Sequence, residues 1–213
     1  MKIGVFDSGI GGSAVARQLA TLIPDAEIIS ISDSEHIPYG SRPAEEIIEL
    51  ANVAIQPLIA DECDVIVIAC NTATTVAINE LRERHPSMKF VGIEPMIKPA
   101  ATHTKTKHIT VLATPATLQS QRYSNLKSEW AQGITVDEPD CTSWAGLIED
   151  GKAQDIPIED TVRQAITAGS DVIVLGCTHY HWLKERAQTA AGNSAVILEP
   201  SDAISRRIKD ITN

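Results

Sequence analysis

The sequence predicts an α/β protein built from two pseudo-symmetric α/β domains with parallel sheets and an active site in the cleft between them. Short aliphatic strands alternate with helices of ten or more residues, which is typical of parallel sheets covered on both faces. The stretch DVIVIACNTAT at 64–74 also returns as DVIVLGCTHY at 171–180, which places the two cysteines 107 residues apart. Ile109 follows Ile3 by 106 residues, so the first strand recurs at nearly the same spacing.

The first half opens with the strand Lys2–Phe6 and continues through the glycine-rich stretch DSGIGG at 7–12 into a helix that ends before Pro24. A polar loop spans 32–42, and Pro57 is expected to kink the helix in which it lies. The other elements expected in this half are a strand at Glu27–Ile31, a helix from about Pro43 to Ala60, a strand at Val65–Ala69, a helix at Asn71–Arg84 and a strand at Phe90–Ile93.

The second half starts the cycle again with a strand at His108–Ala113, followed by a helix after Thr114 and Pro115. The chain ends on a strand at 195–198 and a helix at 201–211. The stretch EPMIKPA at 94–100 carries two prolines and is the expected connection between the halves. We therefore expect a first domain at 1–97, a second at 98–198, and a segment at 199–213 that packs back on the first.

The composition excludes several classes of function. The formal net charge is −10, and an acidic chain is a poor partner for nucleic acid or an anionic membrane surface. The apolar runs are too short to span a bilayer, so a cytoplasmic protein is expected. The four scattered cysteines indicate free thiols in a reducing compartment, and Cys63 and Cys141, which lack the repeated context, are expected to be structural.

Polar residues stand at the predicted carboxyl ends of the strands, which is where parallel sheets place their ligand sites. These residues are Asp7, Ser8, Cys70, Asn71, Thr72, Thr114, Cys177, Thr178 and His179. Cys70 and Cys177 each precede a predicted helix, and helix N-terminal amides would lower a thiol pKa and hold a substrate carboxylate.

Two thiols across one cleft suit racemisation. A racemase needs a base that removes the α-proton from one face of the substrate and an acid that returns a proton on the other. Cys70 and Cys177, one as thiolate and one as thiol, could act in either direction, and Asp7 and His179 are placed to tune which thiol is ionised.

Other interpretations remain open at this point. A single cysteine after an aliphatic strand is usually a small buried hydrophobic residue, and only the repeat in register favours chemistry. Cys70, Cys177 and His179 could bind zinc, although a fourth ligand is not evident. Asp7 could be a helix cap, and the glycines after it turn formers, because DSGIGG has neither the spacing nor the lysine of a phosphate-binding loop.

Five motifs in order along the chain resemble the glutamate racemases of the aspartate/glutamate racemase superfamily. They are DSGIGG at 7–12, PYG at 38–40, ACNTAT at 69–74, EPMIKPA at 94–100 and GCTHY at 176–180. The resemblance implies cofactor-independent interconversion of L- and D-glutamate, without pyridoxal phosphate or metal. It also implies a supply of D-glutamate for peptidoglycan, and a homodimer.

The resemblance also implies roles for individual residues. Cys70 and Cys177 match the catalytic acid/base cysteines, and Asp7 and His179 match the auxiliary residues beside them. Eight positions match substrate-binding residues of the family: Asp7, Ser8, Tyr39, Gly40, Asn71, Thr72, Thr178 and His179. Glu149 matches an acidic residue that lies near the site. Thr114 joins the binding set from its place at a strand end.

The sequence departs from the family pattern at a few positions. His181 stands where proline is usual, Ala116 where glycine is usual, and Ser32 and Ser34 flank Asp33 where glycine and threonine are usual. A further C-terminal strand and helix are also usual.

Alternative functions remain open. They are racemisation of aspartate or another amino acid, a non-catalytic binding or regulatory protein, and thiol redox chemistry. Redox chemistry would require the Cα atoms of the two cysteines to lie within about 7 Å of each other.

Overall fold

The computed structural model describes residues 1–199, 204, 207, 208, 210 and 211, and its strands form two parallel four-stranded sheets. The first sheet has the order β2-β1-β3-β4, and the second has the order β6-β5-β7-β8. The strands are β1 Lys2–Asp7, β2 Glu27–Ser32, β3 Val65–Ile68, β4 Phe90–Gly92, β5 His108–Leu112, β6 Thr135–Asp137, β7 Val172–Leu175 and β8 Val196–Leu198. The predicted α/β class with two parallel sheets is confirmed.

Helices connect the strands in both halves. They are α1 Gly12–Leu22, α2 Ala44–Ala54, α3 Gln56–Ala60, α4 Asn71–Arg84, α5 Ile97–His103, α6 Pro115–Gln119, α7 Gln121–Trp130, α8 Trp144–Glu149, α9 Ile158–Ala168 and α10 Lys184–Ala191. The break between α2 and α3 falls at Ile55, directly before the turn that holds Pro57, as the proline predicts. In the part of the chain that the structure describes, no helix has the length and apolar character needed to cross a membrane.

The two sheets repeat one arrangement. In the first sheet Ile3 of β1 lies opposite Val65 of β3, and in the second Ile109 of β5 lies opposite Val172 of β7. The central strands β3 and β7 are buried along their whole length, which explains their continuous aliphatic sequence. This shared register places the carboxyl ends of β3 and β7 at equivalent positions in the two halves.

Each sheet is covered by apolar clusters on both faces. Ile204 and Ile208 are helical and buried in the same cluster as Ile3 and Val5 of β1. Of the predicted C-terminal segment, residues 200–203, 205, 206, 209, 212 and 213 lie outside the described part, so the domain boundaries and the packing of 199–213 as a whole stay predictions.

Candidate active site

The two repeated cysteines lie at equivalent strand ends. Cys70 follows β3 after Ala69, and Cys177 follows β7 after Gly176. Both side chains are buried, with 5% and 9% of their surface exposed, and neither is in a disulfide. Cys70 caps the 14-residue helix α4, whereas Cys177 precedes a short 3₁₀ helix at Thr178–Leu183 instead of the expected α-helix.

Polar groups of the first half surround the Cys70 thiol. Ser8 Oγ lies 3.2 Å from Cys70 Sγ, and the Ala73 N–H donates to the sulfur at 3.3 Å. Burial and the nearby carboxylate of Asp7 nevertheless raise the pKa of Cys70 to about 12, and the hydroxyl and the helix amide offset this only in part. The expectation of a lowered thiol pKa is therefore wrong for Cys70, because desolvation outweighs the helix N-terminus in the closed cleft.

Asp7 is fully buried at the end of β1 and joins the two halves. Its Oδ2 accepts the Gly12 N–H at 2.6 Å, and its Oδ1 accepts the Thr178 hydroxyl at 3.4 Å. Burial raises the pKa of the Asp7 carboxyl, while the charge of His179 and the surrounding amides act in the opposite direction. Asp7 therefore couples the electrostatics of the first half to those of the second.

An imidazole and a carboxylate stand next to Cys177. His179 Nδ1 lies 3.6 Å from Cys177 Sγ, and His179 Nε2 is bonded to Glu149 Oε1, which also accepts the Ile10 N–H at 3.0 Å. Burial lowers the pKa of His179, but the bonds to Cys177 and Glu149 outweigh it and raise the pKa to about 11. Burial acts against ionisation of Glu149 too, yet its bonds to His179 and Ile10 leave its pKa below the ordinary value. This arrangement stabilises an imidazolium between the sulfur of Cys177 and the carboxylate of Glu149.

Glycines in the loop after β1 allow the two halves to approach. A Cβ at Gly9 would overlap the carboxylate of Glu149, and one at Gly11 would lie 2.5 Å from the Thr178 hydroxyl. The glycine-rich loop is therefore neither a phosphate cradle nor only a turn. It lets the backbone of the first half contact the polar residues near Cys177 in the second half.

Hydroxyl groups from both halves meet beside Cys70. Thr72 Oγ1 lies 2.8 Å from Thr114 Oγ1 and 3.4 Å from Thr117 Oγ1, and all three residues are buried. Asn71 is 2% exposed, yet neither its Nδ2 nor its Oδ1 makes a hydrogen bond to a described residue. A buried amide without partners is costly, so it indicates a ligand that supplies both an acceptor and a donor.

The PYG segment lies against this group of hydroxyls. The Tyr39 hydroxyl donates to Asp33 Oδ2 at 2.7 Å, and Asp33 is held in turn by His36. A Cβ at Gly40 would lie 2.9 Å from the Cβ of Thr114, so Gly40 is also a point of close contact between the halves. The structure thus brings the predicted site residues to the interface between the two halves.

The structure adds Thr117, Asp33 and the backbone of Ile10 to the residues that the sequence singled out. The spacing of Thr114 and Thr117, which puts both hydroxyls on the first turn of α6, could have identified Thr117. The contacts of Asp33 and Ile10 arise from tertiary structure, so no local sequence pattern predicts them.

The other two cysteines lie apart from these contacts. Cys63 Sγ packs beneath β1 and Leu58, and Cys141 packs in the cluster under Cys177, where the Tyr180 hydroxyl donates to the Cys141 carbonyl at 3.3 Å. Burial raises the pKa of Cys141 to about 12. Among the described residues, no group of three His, Cys, Asp or Glu side chains is placed to hold a metal ion.

Comparison with known proteins gives one consistent family. The Asp/Glu/hydantoin racemase family model matches residues 13–206. The glutamate racemase of Roseiflexus sp. (strain RS-1) is 40% identical over 214 residues, which cover 98% of this chain and 78% of that protein.

Solved structures agree with the sequence relatives. The Escherichia coli glutamate racemase in complex with L-glutamate and the activator UDP-MurNAc-ala superposes with a TM-score of 0.85 at 28% identity, over 99% of this chain and 82% of that one. The Francisella tularensis glutamate racemase in complex with D-glutamate has a TM-score of 0.82 at 27% identity, over 99% and 80% of the two chains.

Proposed function

This chain belongs to the Asp/Glu/hydantoin racemase family and is an amino-acid racemase, and from that premise we propose that it interconverts L- and D-glutamate with Cys70 and Cys177 as the two acid/base groups. The observation that carries the proposal is the pair of buried thiols at equivalent strand ends. They lie close enough for the charge of Cys177 to contribute to the raised pKa of Cys70.

The two thiols would take opposite roles in one turnover. One sulfur, as thiolate, removes the α-proton, and the other, as thiol, donates a proton to the opposite face of the resulting carbanion. The raised pKa of Cys70 favours its thiol form, and His179, whose pKa is raised to about 11, places a cationic imidazolium beside the sulfur of Cys177. The resting enzyme would then hold one acid and one base, and the reverse reaction exchanges their roles.

The polar groups around the thiols suit an amino acid with a second carboxylate. The Asn71 amide can accept from the substrate ammonium and donate to a carboxylate, which would satisfy both of its unpartnered atoms. The hydroxyls of Thr72 and Thr114 and the backbone of Tyr39 and Gly40 offer donors for the distal carboxylate. Ser8, Thr178 and His179 complete the binding set on the two thiol sides.

The relatives of this chain are glutamate racemases, and glutamate is therefore the proposed substrate. We further propose that its D-glutamate serves peptidoglycan synthesis and that the protein works as a homodimer, as the family resemblance implies. Light scattering coupled to size exclusion, with and without glutamate, tests the oligomeric state. A monomer at all concentrations would contradict the homodimer.

The decisive assay is circular dichroism at a fixed wavelength on the purified protein with L-glutamate, D-glutamate or L-aspartate, without added cofactor and in the presence of a chelator. We expect the glutamate signal to decay to zero from both enantiomers and the aspartate signal to persist. Decay with aspartate alone would keep the mechanism and change the substrate. A folded protein that leaves all three signals unchanged would contradict the proposed function.

A further inference from the structure

A small cavity lies on the side of Cys177 that faces helix α1. Its wall includes Ala14 and Gln18 of α1, Cys177 and Thr178 after β7, and also His181 and Glu199. About 20 Å³ of this space is open to the centre of a water molecule. One water needs roughly 10 to 15 Å³ by the same measure, so the cavity has room for a single water.

Four of the residues that line the cavity have polar side chains. A water in an interior site typically makes about three hydrogen bonds. Thr178 and Gln18 offer a hydroxyl and an amide, and His181 and Glu199 offer an imidazole and a carboxylate. Most of the cavity wall is apolar, and these four side chains are the groups available there to bind a water.

His181 connects this cavity with the solvent. Its side chain is 37% exposed, and its Nδ1 lies 3.6 Å from Glu199 Oε2. Lys184 Nζ donates to the other carboxylate oxygen of Glu199 at 2.9 Å, and the edge of Trp182 packs against the His181 ring. The imidazole thus stands between a buried thiol residue and bulk water, with a carboxylate and an ammonium beside it.

We propose that His181 and one water in this cavity exchange the proton of Cys177 with the solvent while the substrate carbanion is bound. The inference rests on the proposed two-thiol function. The Cα–H bond breaks as an S–H bond forms on Cys177. The thiol passes this proton to the water and receives another from it, and His181 exchanges the water's proton with the solvent. No net charge moves, and His181 acts as a positioning residue that does not touch the substrate.

Among the described residues, Cys70 has no comparable contact with a cavity and a half-exposed histidine. The polar neighbours of its sulfur are the Ser8 hydroxyl and the Ala73 N–H, both in the first half and both buried. A proton taken up by Cys70 would therefore tend to return to the carbon from which it came. The two thiols should differ in how often an abstracted proton is lost to the solvent.

Single-thiol variants in D2O test this difference. In Cys70→Ser, the α-proton of one glutamate enantiomer is replaced by deuterium only if the proton on Cys177 exchanges with the solvent before it returns. Adding His181→Leu should slow this replacement roughly tenfold or more, measured by the loss of the α-proton NMR signal. Adding Ala14→Val, which fills the cavity, should slow the replacement in the same way. His181→Gln in place of His181→Leu should retain part of the exchange, because the amide can still hydrogen-bond to a water.

The controls separate the relay from a structural effect and from failure of the proposed function. His103→Leu, at an exposed histidine on α5, should leave exchange unchanged, and His181→Leu should not alter the exchange that remains in Cys177→Ser. Two results would overturn the relay while racemisation by the wild type persists. One is that neither His181→Leu nor Ala14→Val changes exchange in Cys70→Ser. The other is that His181→Leu slows exchange equally in Cys70→Ser and in Cys177→Ser. Absence of racemisation by the wild type would instead overturn the proposed function.

Discussion

The two walls of the cleft use the same strand and the same thiol in different electrostatic surroundings. On one wall Cys70 caps a long α-helix, next to the Ser8 hydroxyl and near the buried carboxylate of Asp7. On the other, Cys177 precedes a 3₁₀ helix and stands beside His179, which Glu149 holds. One thiol thus has a buried carboxyl group near it, and the other has an imidazole with a strongly raised pKa beside it.

The difference shows how a duplicated fold can support a reaction with two unlike roles. The repeated sheets place the two sulfurs at equivalent positions, because β1 pairs with β3 in the same register in which β5 pairs with β7. The residues after the strands then set the charge on each side. The shared fold therefore determines where the two thiols lie, and the loops determine which polar groups surround each of them.

Loss of either thiol should have the largest effect. Cys70→Ser and Cys177→Ser should each lower the rate of racemisation by about 10³-fold or more, because a serine hydroxyl is a far weaker acid and base in this place. Circular dichroism with either glutamate enantiomer measures the loss. Cys63→Ala and Cys141→Ala are the matched controls and should keep most of the activity; near-wild-type turnover in either serine variant would exclude that thiol from proton transfer.

Removal of the charged neighbours should have the next largest effect. His179→Gln and Asp7→Asn should each reduce kcat by about 100-fold while both thiols remain, because the carboxamides carry no charge to bias ionisation. Steady-state kinetics in both directions measure this, and Glu159→Gln, at a half-buried ion pair with Arg186 outside the site, serves as the control. Unchanged kcat in both variants would show that the opposite charges have no part in the reaction.

Separation of the two walls should also reduce activity. Gly11→Ala places a methyl group against the Thr178 hydroxyl, and a displacement of about 1 Å between reacting groups can lower a rate about 100-fold. Gly146→Ala is the control, since a Cβ there meets no atom within 4 Å on helix α8. Racemisation assays on both variants check the contrast, and equal activity would mean that the glycine loop does not set the distance between the walls.

The smallest expected effect is a loss of stability at alkaline pH. The pKa of His179 rises from 6.5 to about 11 on folding, so its contribution is fully present below pH 6.5 and is lost as the pH rises toward 11. The free energy of unfolding by urea should therefore already fall between pH 7 and pH 8, where few of the thiols, with an ordinary pKa of 9.0, are ionised in the unfolded chain. His179→Gln should flatten this slope, and His103→Gln should leave it; a flat profile in the wild type would contradict the raised pKa.

The sequence predicted the fold and the position of the thiols, because both follow from local patterns. Buried parallel strands read as aliphatic runs, and the return of the cysteine strand after 107 residues located both strand ends. The raised pKa of Cys70 could not be predicted, because it depends on burial and on the distance to Asp7 across the sheet. The role of Gly9 and Gly11 was missed for the same reason, since the atoms that they admit belong to the other half of the chain.

The most direct test of the two-thiol account is the exchange of the α-proton of each glutamate enantiomer in D2O by the two single-serine variants. The account predicts opposite specificities: Cys70→Ser retains Cys177 and exchanges only one enantiomer, and Cys177→Ser retains Cys70 and exchanges only the other, at a slower rate. Proton NMR on separate incubations with L- and D-glutamate reads both. Exchange of the same enantiomer by both variants, or of both enantiomers by one, would contradict thiols on opposite faces of the substrate.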